Sequence, residues 1–575
     1  MIDVLQIWAL VEALGLLCLP ITVVVCHNLP DRGLAFSKAI GVAILSFCVW
    51  LPLMCWHALP YNQEFILGAL IFLVLCSIIG YWRTYRTISK VIRKNSIYVI
   101  LTETVFLSMI LLLGWLRSFK PDIRSFEMFM DEGFVAAIMR SPHLPPNDMW
   151  YAGHNINYYY YAHFVVATLA KLIGQSPSII FNTGISMYFG LTAVNLFGLT
   201  CNIVAWARHS RQQAKILPDT ELKAASTVYP PLLGGAACGL FSIVIGLILG
   251  NLAATQQWLN NPIESYNWFA PSRVINKTIN EFPAFSFLLS DFHAHVLTLA
   301  FTILAAGLAL NLLLEKDGIG LSAFGRGWQM PLTLLITALG MGELFAMNGW
   351  DMPTYLGLTI ICISLQQWFS YKCTFSLTLL IDIVTTVIIL ATCSFILFIP
   401  FYLNFNSPAQ GLGLVQPQDR SPLGNVFLIY GLFLFLFVSL LIICIKKSLL
   451  FQQPSENTEV EMYRHLNKIL TALCALLIIN VIILLFLKES ITLVLMANIV
   501  LIGIALTLYY IRDRGLAFTL LLGTVAFFLV AFCEVVFLRD VFAGNFPRMN
   551  TVFKFYFQAW ALLSIASGCG MYFLW

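Results

Sequence analysis

Long apolar runs broken by short polar turns dominate this chain from end to end. About 20 mainly apolar residues cross the hydrocarbon core of a bilayer as a helix. Runs of that kind fall at 4–25, 39–59, 64–82, 96–117, 176–206, 230–253, 294–314, 329–347, 352–370, 376–402, 425–445, 467–487, 490–510, 517–538 and 556–575, about fifteen in all. A further stretch, Tyr158 to Gly174, is short, opens on four tyrosines and holds His163 and Lys171. The first run lacks the basic flank and small-residue cleavage site of a secretory signal, so it is expected to stay as a span. The pattern predicts an all-α polytopic membrane protein.

Composition excludes the soluble alternative. Only 10% of the 575 residues are charged and 59% are hydrophobic, whereas a soluble domain carries roughly a quarter charged residues. The net charge of +4 is small and scattered, which argues against a nucleic-acid partner. The 14 cysteines sit mostly in apolar runs with no CxxC pair, so they read as buried thiols.

Positive charge sets the orientation. If 158–174 does not span, one set of alternate loops holds 20 of the 32 Lys and Arg residues. The positive-inside rule then makes those loops cytoplasmic and the N-terminus external. Residues 158–174 are accordingly expected to form an interfacial or half-inserted helix. Three regions follow: N-terminal helices over 1–117, a first outer loop over 118–175, and a core over 176–575 with outer loops 254–293, 403–424 and 539–555. The string DRGLAF occurs at 31–36 and again at 513–518, but no internal repeat is argued from it.

The outer loops carry most of the chemistry. A transporter would place charges within its spans, yet the run 490–510 carries none. Residues 125–140 show apolar positions at helical spacing, which predicts an amphipathic helix lying on the membrane. Glu127 and Asp131 are four apart and share one face, with Glu132 beside them. A carboxylate partly desolvated at an interface can serve as a general base; an ordinary solvated helix face has the same pattern. Trp150, Asn157, Tyr158, Tyr159, Tyr160 and His163 follow, as an interfacial aromatic belt or as stacking and hydrogen-bonding groups for a sugar. The second large loop offers Arg273, Glu281 and the spacing Asp291-x-His293-x-His295. On a helix Asp291 and His295 share a face and His293 points elsewhere, which favours acid–base work over a metal. Trp350 and Asp351 come next. Arg548, Asn550 and Lys554 form the last set, whose cations could grip a phosphate or anchor the interface.

Strings including Phe129-Met-Asp131, Asn155-Ile-Asn-Tyr-Tyr-Tyr160, Pro271-Ser-Arg-Val274, Ile279-Asn-Glu-Phe-Pro283, Asp291-x-His-x-His295, Trp350-Asp351 and Arg548-Met-Asn-Thr-Val-Phe-Lys554 resemble the DUF2298 (YYY) membrane proteins. That family resembles the GT-C glycosyltransferases, which take sugars from polyprenyl-phosphate donors. The resemblance implies a GT-C-like bundle with an inverting transfer centre on the extracytoplasmic face. Asp131 maps to its catalytic carboxylate. Here Glu132-Gly133 follows where the pattern usually has an aromatic residue, so either carboxylate could be the base. Arg273, Arg548 or Lys554 would stabilise the leaving phosphate, while His163, His295 and the tyrosines position donor and acceptor. Glu127, Trp150, Asn157, Glu281, Asp291, His293, Trp350, Asp351 and Asn550 complete the expected substrate site. No ligand set demands a metal, although the carboxylates could hold Mg²⁺ or Mn²⁺ with phosphate oxygens. The competing functions are a transporter or flippase of a lipid-linked precursor and a non-catalytic membrane assembly factor.

Overall fold

Backbone amides cannot stay unpaired in hydrocarbon, so apolar runs close their hydrogen bonds internally as helices. The structure is a computed structural model and describes residues 1–124, 127–216, 232–450, 475, 480, 491–542 and 544–575. Among these are twenty α-helices. The first seven are α1 (Ile2–Val25), α2 (Ser37–Cys55), α3 (Gln63–Lys94), α4 (Ser96–Ser118), α5 (Met128–Arg140), α6 (Tyr161–Ile173) and α7 (Pro177–Ile216). Then come α8 (Ala236–Ile243), α9 (Leu252–Asn260), α10 (Pro283–Leu289), α11 (Ala294–Leu297), α12 (Leu299–Leu313), α13 (Gln329–Asn348), α14 (Met352–Ser370), α15 (Leu377–Leu397) and α16 (Ile399–Asn404). The last are α17 (Leu423–Leu450), α18 (Ile491–Tyr509), α19 (Arg514–Phe532) and α20 (Met549–Leu574). Strands β1 (Leu412–Leu414) and β2 (Val536–Leu538) pair antiparallel.

Eleven of the described helices are long and apolar enough to cross a membrane. The count becomes twelve if Leu232–Ile248 and Leu252–Asn260, bent by 65°, form one broken span. The expected fifteen is therefore not reached among the described residues. α12 has only 15 residues, α14 carries Gln366 and Gln367 and is not among the eleven, and the run at 467–487 lies outside the described residues. The chain is an all-α polytopic integral membrane protein.

α7 forms the axis: its apolar window is wholly buried and it packs against α1, α4, α8, α12, α19 and α20. Both DRGLAF strings start a helix against it. Asp31 accepts hydrogen bonds from the Gly33 amide and the Tyr98 hydroxyl, and Asp513 caps α19 through the Leu516 amide. The glycines and alanines permit the approach. A Cβ on Gly198 would lie 2.1 Å from Ala35, and one on Gly515 would lie 3.0 Å from the Ile203 carbonyl oxygen.

Two short helices within residues 118–175 pack against the bundle. In α6, Tyr161 to Ala170 are all buried within the protein, and Gly174, in the left-handed region at φ 74°, ends the helix. α5 rests on α6 and α7. Its buried face is Met128, Asp131, Phe134, Val135 and Ile138, while Phe129 is 61% exposed.

Several charges inside the bundle are paired, although Glu343 is buried with no partner for its carboxyl. Lys38 Nζ lies 2.6 Å from Glu103 and 3.3 Å from Glu12, a cluster that joins a predicted loop to two predicted spans. Arg548 was expected to grip a phosphate, but it is buried and committed elsewhere. Its guanidinium lies 3.2 Å from Glu534, donates to the Cys533 carbonyl and contacts the Ser421 hydroxyl. Glu534 in turn accepts from the Ser421 amide at 2.7 Å. Removing one member of a buried pair leaves the other uncompensated, at about 3–5 kcal/mol. Arg548→Met should therefore destabilise the detergent-purified protein by about that much. The double variant with Glu534→Met should recover part of the loss in thermal unfolding.

Candidate functional site

The site forms where chain segments far apart in sequence meet at one end of the bundle. A cavity of about 790 Å³ opens there. α5 contributes Glu127, just before its first turn, and Asp131 from its buried stripe. α10 ends at Ser290, whose φ of 56° is left-handed. The chain then runs extended through His293 before α11 begins. Because 291–293 is not helical, His293 turns into the cavity beside Asp291, contrary to the helical expectation. α20 supplies Asn550 and Lys554 from its first turns, and the segment following β2 supplies Arg539 and Asp540.

His293 is the hub. Its Nδ1 contacts an Asp291 oxygen and lies 3.4 Å from Asp131 Oδ2, and its Nε2 contacts Glu127. Asp291 also lies 3.7 Å from His295 Nε2. Lys554 Nζ is 2.9 Å from His295 Nδ1; the ammonium has no acceptor capacity, so that nitrogen is the acceptor and the ring proton sits on Nε2. Arg273 pairs with Glu281 at 3.3 Å. Two sets offer metal-ligating atoms within 4.8 Å of one another: Asp131, Asp291 and His293, and Glu281, Asp291 and His295.

Burial and charge divide these groups. Burial raises Asp131 to about 7, aided by Asp291 and Glu127 against the pull of His293. Burial and Asp291 likewise push Glu281 up to about 7 against Arg273. Burial opposes the charged form of His293, but the carboxylates of Asp291 and Asp131 outweigh it and hold the imidazole well above its ordinary value. Asp291 is held below its usual range: burial works against it, and the charge and hydrogen bond of His293, with Lys554 beyond, prevail. The hydrogen bond from His293 lowers Glu127. One carboxyl poised to exchange a proton near neutrality thus stands beside a fixed anion and an imidazolium.

Of the residues expected from sequence, Glu127, Tyr158, Tyr159, Arg273, Glu281, Asp291, His293, Trp350, Asn550 and Lys554 line the cavity with Asp131. The others do not. Glu132 points away from the buried stripe and is only partly buried. Trp150 is 70% exposed. Asn157 instead pins the wall by exchanging hydrogen bonds with the Asn406 backbone, next to the cavity residues 407–409. Tyr160 accepts from Trp50 in the core, and His163 packs edge-on against Phe134 and Phe292 beneath the site. Asp351 is held by Asn348 at 2.8 Å, and His295 lies behind Lys554. Sequence reasoning missed Arg539 and Asp540. They form a charged pair directly after an apolar run, a signal that was available.

Three carboxyls near neutrality, Asp131, Glu281 and Asp351, should be visible spectroscopically. In chelator-treated protein, infrared difference spectra between pH 5 and 8.5 should show a protonated-carboxyl band with its midpoint near 7. Asp131→Asn and Glu281→Gln should each remove part of it, whereas Glu132→Gln should leave it whole.

No curated protein and no solved structure matches the chain significantly. The family described as "Uncharacterized membrane protein (DUF2298)" matches over residues 44–563. That span covers most of the chain and includes every group placed around the cavity, so the protein belongs to the DUF2298 family of membrane proteins.

Proposed function

We propose that the protein is a GT-C-type glycosyltransferase that moves a sugar from a polyprenyl-phosphate donor to an acceptor hydroxyl on the extracytoplasmic side of the membrane. The observation that carries the reading is the position of Asp131. It is 1% exposed, lines the cavity and titrates near neutrality, as a general base requires. The cavity has two characters. Charged groups gather around His293, whereas Met128, Phe269, Leu289, Val541, Phe542 and Phe553 give an apolar wall. An amphiphile with a phosphate and sugar on an isoprenoid chain needs both surfaces. The lysine- and arginine-rich loops lie on the other predicted face, which supports an external site.

Asp131 takes the proton of the acceptor hydroxyl as its oxygen attacks the anomeric carbon. The bond from that carbon to the phosphate oxygen breaks, the electron pair leaves with the phosphate, and configuration inverts. Lys554 and Arg273 are the cations placed to meet the leaving phosphate; Arg548 is already committed to Glu534. Tyr158 and Tyr159 offer ring faces and hydroxyls to the sugar.

Asp131→Asn should lower transfer from a labelled lipid-linked sugar in membranes by about 10²–10⁴-fold, the usual scale for loss of a positioned base. Glu132→Gln should keep most of it. Full transfer by Asp131→Asn would remove this residue from the mechanism. Passage of label across the bilayer without a new glycosidic bond would favour transport instead.

A further inference from the structure

We infer that Asp131, Asp291 and His293 form a binding site for one divalent transition-metal ion, with Glu127 orienting the histidine from behind. One ligand atom from each of the three residues lies within 4.8 Å of the others. They come from two segments fixed independently, the first turn of α5 and the extended stretch after Ser290. Asp131 is 1% exposed, yet its Oδ1 has no hydrogen-bond partner although the residue lines the cavity.

The hydrogen-bond inventory around His293 points the same way. Two carboxylates, Asp291 and Asp131, face the single nitrogen Nδ1. That nitrogen carries at most one proton, so when both aspartates are ionised the imidazole can serve only one of them. A dication resolves the conflict. It takes the Nδ1 lone pair and one oxygen from each aspartate, while Nε2–H donates to Glu127. A carboxylate on the far nitrogen of a ligating histidine is the usual outer partner of a metal site. Asp131 would bind through one oxygen and keep the second for the acceptor.

The neighbouring group of Glu281, Asp291 and His295 is the weaker candidate. Lys554 donates to His295 and Arg273 pairs with Glu281, so two positive charges already occupy it. Two carboxylates with one imidazole suit Mn²⁺ or Zn²⁺ better than the all-oxygen preference of Mg²⁺ and Ca²⁺. Positions left open toward the cavity would take a phosphate oxygen; that role rests on the transfer reading above, whereas ion binding does not.

The test uses full-length protein in detergent, stripped with EDTA and titrated with Mn²⁺ while the six-line EPR signal of the free ion is followed. Wild-type protein should remove about one equivalent of free Mn²⁺, and Zn²⁺ should compete for the same site. Asp291→Asn and His293→Ala should each weaken binding at least tenfold. Glu127→Gln should weaken it about 10-fold or more, the scale for outer partners. Glu132→Gln should bind like wild type. Thermal unfolding and gel filtration confirm that each variant is folded; Asp291→Asn, which keeps its shape, carries the test if His293→Ala fails. The inference is overturned if wild-type protein leaves millimolar Mn²⁺ free and binds no Zn²⁺, or if folded Asp291→Asn binds as tightly as wild type. Ion binding without sugar transfer would sustain the metal site and sink the transfer reading. Sugar transfer by stripped protein that binds no ion would do the reverse.

Discussion

A charge cannot rest in a medium of low polarity without a partner, and this constraint sorts the ionisable groups of the protein into two kinds. Within the bundle several are tied to a counter-group or to carbonyls, whereas Glu343 is buried with no partner for its carboxyl. Lys38 holds Glu12 and Glu103, Arg548 holds Glu534, and Arg514 donates to the carbonyls of Leu313 and Glu315. Such groups fix helix against helix and have no remaining valence for a ligand. Around the cavity the pattern changes. Three carboxylates share one imidazole, and a buried aspartate oxygen is left over. Surplus of this kind leaves room for another molecule or ion to complete it.

The local backbone makes that surplus possible. Asp131 replaces an apolar residue in the stripe that α5 turns toward α6 and α7, so packing of Phe134, Val135 and Ile138 drives the carboxyl inward. Phe134 also stacks on Tyr158 at 4.9 Å, which ties the position of α5 to the tyrosine run. On the opposite wall, the left-handed Ser290 stops α10, and residues 291–293 stay outside any helix, with His293 in extended backbone. Asp291 and His293 both line the cavity and touch one another there.

Much of this was legible in the sequence. Helix positions followed from apolar run length, and the acidic pair at Glu127 and Asp131 was found from spacing because i and i+4 share a helical face. What escaped depended on long-range contact. The face that α5 buries was not legible, because Phe129 and Met130 look as suitable for burial as Phe134 does, and only packing against α6 distinguishes them. His293 was turned the wrong way because nothing in Leu289-Ser290-Asp291 announces a left-handed residue. Arg548 seemed available because its partners lie 14 and 127 positions away. α12 and α14 fall short of the length or apolarity of the other spans, and burial by protein and burial by lipid select similar residues, so the sequence pattern does not separate the two cases.

The contact between Lys554 and His295 joins positions 259 residues apart. Polypeptides are made and inserted from the amino end, so the carboxylates of α5 and the histidines of the second loop enter the membrane before the cavity gains its lysine wall. Nascent intermediates hold those groups without the ammonium that offsets them. The charge balance of the cavity is thereby completed only when α20 has docked.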